Sequence, residues 1–221
     1  IMDIESGELL ALSSLPDFDP HKPAAADDAA RFDRASLGVY EMGSTFKSFT
    51  MAMGLDSGTV TMKGGYDATN PFKIATFTIQ DTHPKRRWLS VPEIYAYSSN
   101  IGTAKMALDV GTKRQKAYME KFGMLAPVDI ELPEKAAPLY PHDWREINTV
   151  TISYGHGISV TPLHLVRGIA ALVGGGTMPR LTLVKDGNKD KPEGARIISE
   201  QTSKNLRRLM RLVVDHGTGT K

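Results

Sequence analysis

The segment from residue 43 to residue 53 constrains the fold more than any other part of this 221-residue chain. Its large apolar residues, Phe46, Phe49 and Met53, recur at spacings of three and four, which predicts a helix that buries one face. Ser44 and Lys47 lie three residues apart at the start of this helix. Because residues at that spacing share a face, their side chains are predicted to point at the same spot. The fold therefore has to accommodate a buried helix that carries a serine and a lysine in its first turn.

Nucleophilic catalysis is the chemistry open to this pair. A serine hydroxyl becomes a good nucleophile only when a base lies within hydrogen-bond reach. A lysine on an apolar helix loses hydration, so its pKa falls and its neutral amine can act as that base. The helix N-terminus would help to stabilise an oxyanion. A capping serine followed by a solvated lysine would give the same pattern. No other Ser-x-x-Lys occurs in the chain, but the pattern alone leaves both interpretations open.

Composition narrows the classes of partner and site. The apolar content of 41% and charged content of 24% are typical of globular proteins. A net charge of +2 is too small to indicate nucleic acid or an anionic membrane as the main partner. The absence of cysteine excludes disulfides and thiolate metal sites. No signal peptide or membrane-spanning run is visible, and because the chain begins at Ile1 we expect it to be a piece of a longer protein.

The remaining patterns predict one mixed α/β unit that is mostly helical and has no clear linker. Apolar runs on both sides of Ser6-Gly7 predict an N-terminal hairpin, and residues 15–34 predict an irregular or partly helical excursion with Phe18 and Phe32 as candidate anchors. Ser90 and Glu93 predict a capping box at a helix start. Further helices are predicted over 101–110, 112–122 and 162–173 and from about residue 199, where Leu206, Leu209, Met210 and Val213 would be buried. A β-like run is predicted at 74–79, a proline-rich loop at 127–144 and a charged, flexible surface loop at 185–194.

A second group of polar residues, Ser98-Ser99-Asn100, lies between two of these predicted helices. Ser98 could relay a proton there, and Asn100 could hold Lys47 and a substrate amide. A capping turn would favour the same residue types, so this pattern also leaves two interpretations open. The similar Ser203-Lys204-Asn205 is predicted to lie on the polar side of the last helix, at the surface.

Three longer stretches of sequence resemble the class B penicillin-binding proteins, and more narrowly their division-type transpeptidases. They are residues 38–47 (GVYEMGSTFK), 97–102 (YSSNIG) and 153–162 (SYGHGISVTP). Ser-x-x-Lys followed by Ser-x-Asn is the signature of active-serine, penicillin-recognising enzymes. Residues 1–12 (IMDIESGELLAL) match the opening hairpin of that family. The resemblance covers nearly the whole chain, in the expected order.

The resemblance implies a penicillin-binding-protein and serine β-lactamase-like transpeptidase fold and a specific mechanism. Ser44 would attack the penultimate D-alanyl carbonyl of a peptidoglycan stem peptide ending in D-Ala-D-Ala, and Lys47 would take its proton. Ser98 would pass a proton to the leaving amine, Asn100 would orient the substrate and Lys47, and the backbone N–H of Ser44 would form half of an oxyanion hole. β-Lactam antibiotics would acylate Ser44. No cofactor or metal is implied, and no nucleic-acid partner.

The resemblance also implies a cellular setting. The protein would work at the periplasmic face of the bacterial inner membrane, anchored by a segment upstream of Ile1. A glycosyltransferase and division proteins would be its partners.

The family's third motif, Lys-Thr-Gly, is not found in the chain. Lys63-Gly64-Gly65 and Lys185-Asp186-Gly187 resemble it but stand at the wrong places, and the sequence ends at residues 213–221 (VVDHGTGTK), where the motif-bearing strand should follow. We therefore expect residues 1–221 to be the N-terminal and helical part of a transpeptidase domain, truncated before the C-terminal strands. We also expect the chain alone to be inactive and improperly folded, with the remainder supplied by a bound fragment cut after Lys221.

Two other functions fit the same motifs. A serine β-lactamase would share them but would release the acyl group rapidly, whereas a transpeptidase would hold it. A non-enzymatic β-lactam sensor or division scaffold is the other alternative: a sensor would acylate without turning over peptide, and a scaffold would lack a reactive serine. A Ser-His-Asp hydrolase is not indicated, because the chain has no Gly-x-Ser-x-Gly elbow.

Overall fold

The computed structural model describes residues 1–187 and 194–220. The chain is mainly helical, with short strands and long irregular connections. Its helices are α1 (Asp28–Arg31), α2 (Lys47–Asp56), α3 (Val91–Ala96), α4 (Asn100–Val110), α5 (Thr112–Lys121), α6 (Glu146–Ser153), α7 (Pro162–Val173) and α8 (Glu200–His216), with 3₁₀ turns at Pro23–Ala25 and Gly43–Phe46. Its strands are β1 (Gly65–Asp67), β2 (Phe72–Ile74), β3 (Phe77–Ile79) and β4 (Trp88–Ser90).

Helix α2 is the centre of the core. Every residue from Lys47 to Gly54 is buried, and helices from α3 to α8 all pack around α2. The rings of Phe46 and Phe49 meet edge to face with centroids 5.3 Å apart, and Phe122 lies 5.2 Å from Phe49 on the far side. Aromatic pairs in this geometry add to the stabilisation from apolar burial. The predicted helix is thus confirmed, but the prediction that it buries only one face is wrong, because in the structure it is buried all round.

The strands form two small antiparallel pairs within the described residues. β1 pairs with β4, and β2 pairs with β3. The predicted β-like run at 74–79 is wrong in detail, because the chain turns at Ala75, where φ is 51°, and the two halves fold back on each other. The N-terminal hairpin is confirmed in a short form: Met2 and Leu9 make an antiparallel bridge, and the turn lies one to three residues before Gly7.

Most predicted helices are confirmed within a residue or two. Ser90 and Glu93 form the predicted capping box on α3, and α4, α5, α7 and α8 begin and end near the predicted residues. Leu206 and Leu209 are buried as predicted, whereas Met210 and Val213 are only partly so. Residues 127–144 contain no helix or named strand, as predicted for that loop.

Two further expectations are wrong, and one helix was not predicted. Phe32 is 41% exposed and is therefore not a buried anchor; the segment around it forms only the single turn of α1. Ser203 is fully buried rather than on the surface, and its hydroxyl accepts a hydrogen bond from the backbone of Gly175. Helix α6 was not predicted at all. The predicted charged loop at 185–194 lies largely outside the described residues, as does the predicted cut after Lys221.

Candidate active site

The 3₁₀ turn Gly43–Phe46 leads into α2 and presents Ser44 to solvent. Lys47, one turn later, is only 2% exposed because α2 is buried from that residue onward. The local sequence explains the difference: Phe46 and Phe49 draw the helix into the core, while Gly43 takes a positive φ of 55° that begins the turn. An exposed hydroxyl thus stands directly over a buried amine.

Ser44, Lys47 and Ser98 form a closed triangle of side-chain hydrogen bonds. The Lys47 amine lies 3.2 Å from the Ser44 hydroxyl oxygen and 2.8 Å from that of Ser98, and the two hydroxyl oxygens are 3.2 Å apart. The amine also donates to the Ser98 carbonyl at 2.6 Å. Because that carbonyl can only accept, it keeps the amine aimed at the two hydroxyls in either protonation state. The arrangement can move a proton between all three groups.

Burial changes the acid–base behaviour of Lys47. Loss of hydration lowers the pKa of its amine to about 8, while the negative charge of Asp81 opposes this and raises the pKa. A lysine with this pKa holds a usable neutral fraction at neutral pH, about a tenth at pH 7. The amine is therefore suited to act as a general base toward Ser44.

The backbone at Ser98 is bent into an uncommon conformation. Its φ is +55°, in the left-handed region that residues with a side chain rarely adopt. The residue sits between the end of α3 and the start of α4, where Ser99 caps α4 by accepting from Gly102 N–H. This bend aims both the carbonyl and the hydroxyl of Ser98 at Lys47. Strain of this kind persists where surrounding contacts fix it, and it is common at functional sites.

Asn100 lies close to the triangle but uses its side chain differently from the expectation. Its amide donates to the backbone carbonyl of Gln80 at 3.1 Å. Among the hydrogen bonds of residues 1–187 and 194–220, none joins Asn100 to Lys47, which is held by Ser98 instead. The amide remains half-exposed at the rim of the site.

The segment 153–162 packs against the chain that leads into the 3₁₀ turn carrying Ser44. Tyr40 and Val160 exchange backbone hydrogen bonds, and the N–H of Gly43 donates to the carbonyl of Gly155 at 3.1 Å. The carboxylate of Glu41 accepts from the N–H of Gly157 at 2.6 Å. Sequence reasoning did not find these contacts, although the close glycines of Tyr154-Gly155-His156-Gly157 are a signal of tight backbone approach.

Over the described parts of the chain, no cluster of three or more histidine, aspartate or glutamate side chains could hold a metal ion. No helix in those same parts combines the length and apolarity needed to cross a bilayer.

Comparisons with known proteins identify the family of the chain. The family model for the penicillin-binding protein transpeptidase domain matches residues 1–221. The probable peptidoglycan D,D-transpeptidase FtsI of Caulobacter vibrioides is 41% identical over 219 residues, which are 99% of this chain and 37% of that protein. FtsI of Escherichia coli is 28% identical, again over 99% of this chain and 37% of the relative. The chain thus spans well under half of the curated relatives it matches.

Solved structures give the same result. The transpeptidase domain of penicillin-binding protein 3 from Burkholderia pseudomallei aligns with a TM-score of 0.86 at 28% identity, over 98% of this chain and 62% of that one. A protein from Burkholderia ambifaria described as a peptidoglycan glycosyltransferase aligns with a TM-score of 0.86 at 28% identity, over 98% of this chain and 66% of that one.

The Ser-x-x-Lys of Ser44 and Lys47, followed by the Ser-x-Asn of Ser98 and Asn100, is typical of the active-serine, penicillin-recognising class. More particularly, the chain belongs to the family of penicillin-binding protein transpeptidase domains, because the family model matches its full length. The resemblance to division-type members is confirmed by the FtsI relatives.

Proposed function

We propose that this chain carries the reactive serine of a peptidoglycan D,D-transpeptidase that cross-links stem peptides during septal wall synthesis. The observation that carries the proposal is the triangle in which the exposed Ser44 hydroxyl meets the buried amine of Lys47 and the hydroxyl of Ser98. The protein would act at the periplasmic face of the inner membrane, held there by a segment outside this chain. A glycosyltransferase and division proteins would work beside it.

The first half of the reaction makes an acyl-enzyme. The Ser44 oxygen bonds to the penultimate D-alanyl carbonyl while its proton passes to the neutral amine of Lys47. The bond from that carbonyl to the nitrogen of the terminal D-alanine then breaks, and the leaving nitrogen takes a proton through the Ser98 hydroxyl. The backbone N–H of Ser44 would donate to the oxyanion.

The second half transfers the acyl group. An amine from a neighbouring stem peptide attacks the ester carbonyl and gives up a proton to Lys47, and the Ser44 oxygen leaves and recovers a proton. A β-lactam would stop the cycle after the first half, because its opened ring stays attached and blocks the amine. Asn100, at the rim of the site, would orient the substrate amide.

Mass spectrometry of the natural full-length protein with penicillin tests the proposal. Full length matters because the chain holds no Lys-Thr-Gly motif. We expect one slowly released adduct on the tryptic peptide 35–47, with fragmentation placing it on Ser44, and protection by a peptide ending in D-Ala-D-Ala. No adduct, or an adduct elsewhere, would contradict the proposal.

The same experiment separates the alternatives. Rapid loss of the adduct with accumulation of hydrolysed penicillin would indicate a β-lactamase. A stable adduct without any cross-linked product from stem peptides would indicate a sensor.

The pH dependence of acylation is a second prediction. Only the neutral amine of Lys47 can accept the serine proton, and the pKa of that amine is lowered by burial to about 8. The acylation rate is therefore expected to rise about tenfold per pH unit below this value and to level off above it. Stopped-flow measurements with a chromogenic β-lactam between pH 6 and pH 10 would check this. A flat profile through pH 8 would rule out Lys47 as the base.

A further inference from the structure

Asp81 lies outside the catalytic motifs but is attached to the turn that carries Ser98. It follows strand β3, and its two carboxylate oxygens accept separate hydrogen bonds, one from the Ser99 hydroxyl at 2.8 Å and one from the N–H of Ile101 at 2.9 Å. The preceding residue, Gln80, accepts from Asn100 through its carbonyl. Two consecutive residues after β3 thus hold three consecutive residues, Ser99 to Ile101, of which the first two belong to the second motif.

The turn needs such support because its backbone is strained. Ser98 adopts a left-handed conformation, which is unfavourable for a residue with a side chain. The Ser99 hydroxyl donates to Asp81 while it accepts from the N–H of Gly102, so the carboxylate orients the cap of α4. A negative charge at this end of a helix is also favoured by the helix dipole.

The charge of Asp81 also acts on Lys47. It raises the pKa of the amine against the larger lowering caused by burial. Of the other ionisable groups near this corner, Tyr95 on α3 bonds to Ser48 and has its pKa raised by burial, so it stays neutral. Lys85 lies over the ring of Tyr97, 4.3 Å from its centre.

The other helices packed on α2 are further possible sources of charge next to Lys47, but in the described residues none of them makes a charged contact with its amine. No hydrogen bond or ion pair within the described ranges joins Lys47 to a charged side chain of α4, α5, α6, α7 or α8; its partners are Ser44 and Ser98.

We propose that Asp81 is a positioning residue: it holds Ser98 against Ser44 and Lys47, and it places a carboxylate beside the turn that the Lys47 amine contacts. The inference rests on the proposed function, because it concerns the same serine and lysine. It assigns the loop after β3 a part in the reaction that neither motif contains.

The variant Asp81→Asn tests both halves of the proposal in the natural full-length protein. It keeps the size of the side chain but removes the charge and one of the two carboxylate acceptors. We expect the midpoint of the acylation pH profile to move to lower pH, because the charge that favours the protonated amine is gone. We also expect the plateau rate above that midpoint to fall about tenfold, because Ser98 is held less well.

Asp56→Asn is the matched control. Asp56 accepts from the N–H of Ser199 and the hydroxyl of Thr202 at the start of α8, as Asp81 does at the start of α4. It lies at the other end of α2 from Lys47, about 14 Å along the helix. We expect this variant to lower stability as much as Asp81→Asn while leaving the midpoint and plateau of acylation unchanged.

Ser99→Ala separates position from charge. It removes the hydroxyl that Asp81 holds but keeps the carboxylate, so the plateau rate should fall while the midpoint stays within a few tenths of a pH unit. If Asp81→Asn fails to fold, Ser99→Ala decides the positioning half. A Lys47 nitrogen titration followed by NMR in the wild-type protein, with and without screening salt, then decides the charge half, because the charge of Asp81 should make its midpoint fall as salt rises.

The inference is overturned if Asp81→Asn keeps the wild-type midpoint and a plateau within twofold, or if Asp56→Asn changes both equally. If Asp81→Asn does not fold, a wild-type acylation rate for Ser99→Ala overturns the positioning role. A titration midpoint of Lys47 that does not fall with added salt overturns the effect of the Asp81 charge. Failure of the proposed function would look different, because the wild-type protein itself would then form no adduct at Ser44.

Discussion

Lys47→Met is expected to lower the rate of acylation by a β-lactam by about 10²–10⁴-fold, which is the usual contribution of a general base. Methionine is unbranched and close to lysine in length, so it fills the same buried space. It offers no amine to accept the Ser44 proton. Because the variant also removes a buried ionisable group, its free energy of unfolding is expected to stay near that of the wild-type protein or to rise. Stopped-flow acylation and denaturant unfolding would measure the two quantities.

Lys105→Met is the control for that result. Lys105 on α4 donates to the backbone carbonyl of Asp67 at 2.6 Å, the same distance as between the Lys47 amine and the Ser98 carbonyl. Losing this contact should leave acylation unchanged. A Lys47→Met protein that acylates within threefold of the wild-type rate would show that another group activates Ser44, with the Ser98 hydroxyl as the nearest candidate.

Gly155→Ala is expected to damage both stability and acylation. A methyl group at Gly155 would lie 2.0 Å from the backbone oxygen of Gly43, which is far inside contact distance, and the φ of +84° is itself unfavourable for alanine. The 3₁₀ turn that carries Ser44 must move to relieve the clash. Strain and overpacking together should lower the free energy of unfolding by about 3 kcal/mol. Acylation should fall more than tenfold, because displacement of a nucleophile by about 1 Å can cost 10²-fold.

Gly58→Ala separates the clash from the conformational strain. Gly58 follows α2 and has a φ of +70°, but a methyl group there would meet nothing within 4 Å. This control should lose about 1 kcal/mol of stability and acylate like the wild-type protein. If Gly155→Ala does no more than Gly58→Ala, the contact between Gly155 and Gly43 does not position the nucleophile.

Local patterns were sufficient to predict much of the helical fold. The capping box of Ser90 and Glu93 and the glycine after α4 are signals contained in a few neighbouring residues. Helix α6 was not predicted because it is rich in β-branched residues, including Val150 and Ile152, whose intrinsic helix propensity is low. Its packing against α4 overrides that preference.

The contacts in the site can likewise be divided into local ones, which the sequence predicts, and ones between distant residues, which it does not. The approach of Ser44 to Lys47 follows from helical spacing, so it could be predicted from residues three apart. The contacts of Asp81 with Ser99 and of Gly155 with Gly43 join residues 18 and 112 positions apart in the chain. No rule of residue spacing predicts contacts between residues so far apart in the chain, because such contacts depend on how the whole chain packs. The burial of Ser203 was not predicted for the same reason, since its partner Gly175 lies in the turn after α7, 28 residues earlier in the chain.

Amide hydrogen exchange would distinguish α2 from the rest of the chain. Because α2 is buried from Lys47 to Gly54, its N–H groups reach solvent only when the core around them opens. The partly exposed β2–β3 pair is expected to exchange through small local openings that leave this core intact. We therefore expect the lysine amine to be held by slowly exchanging backbone, so that its placement beneath Ser44 lasts as long as the native core does.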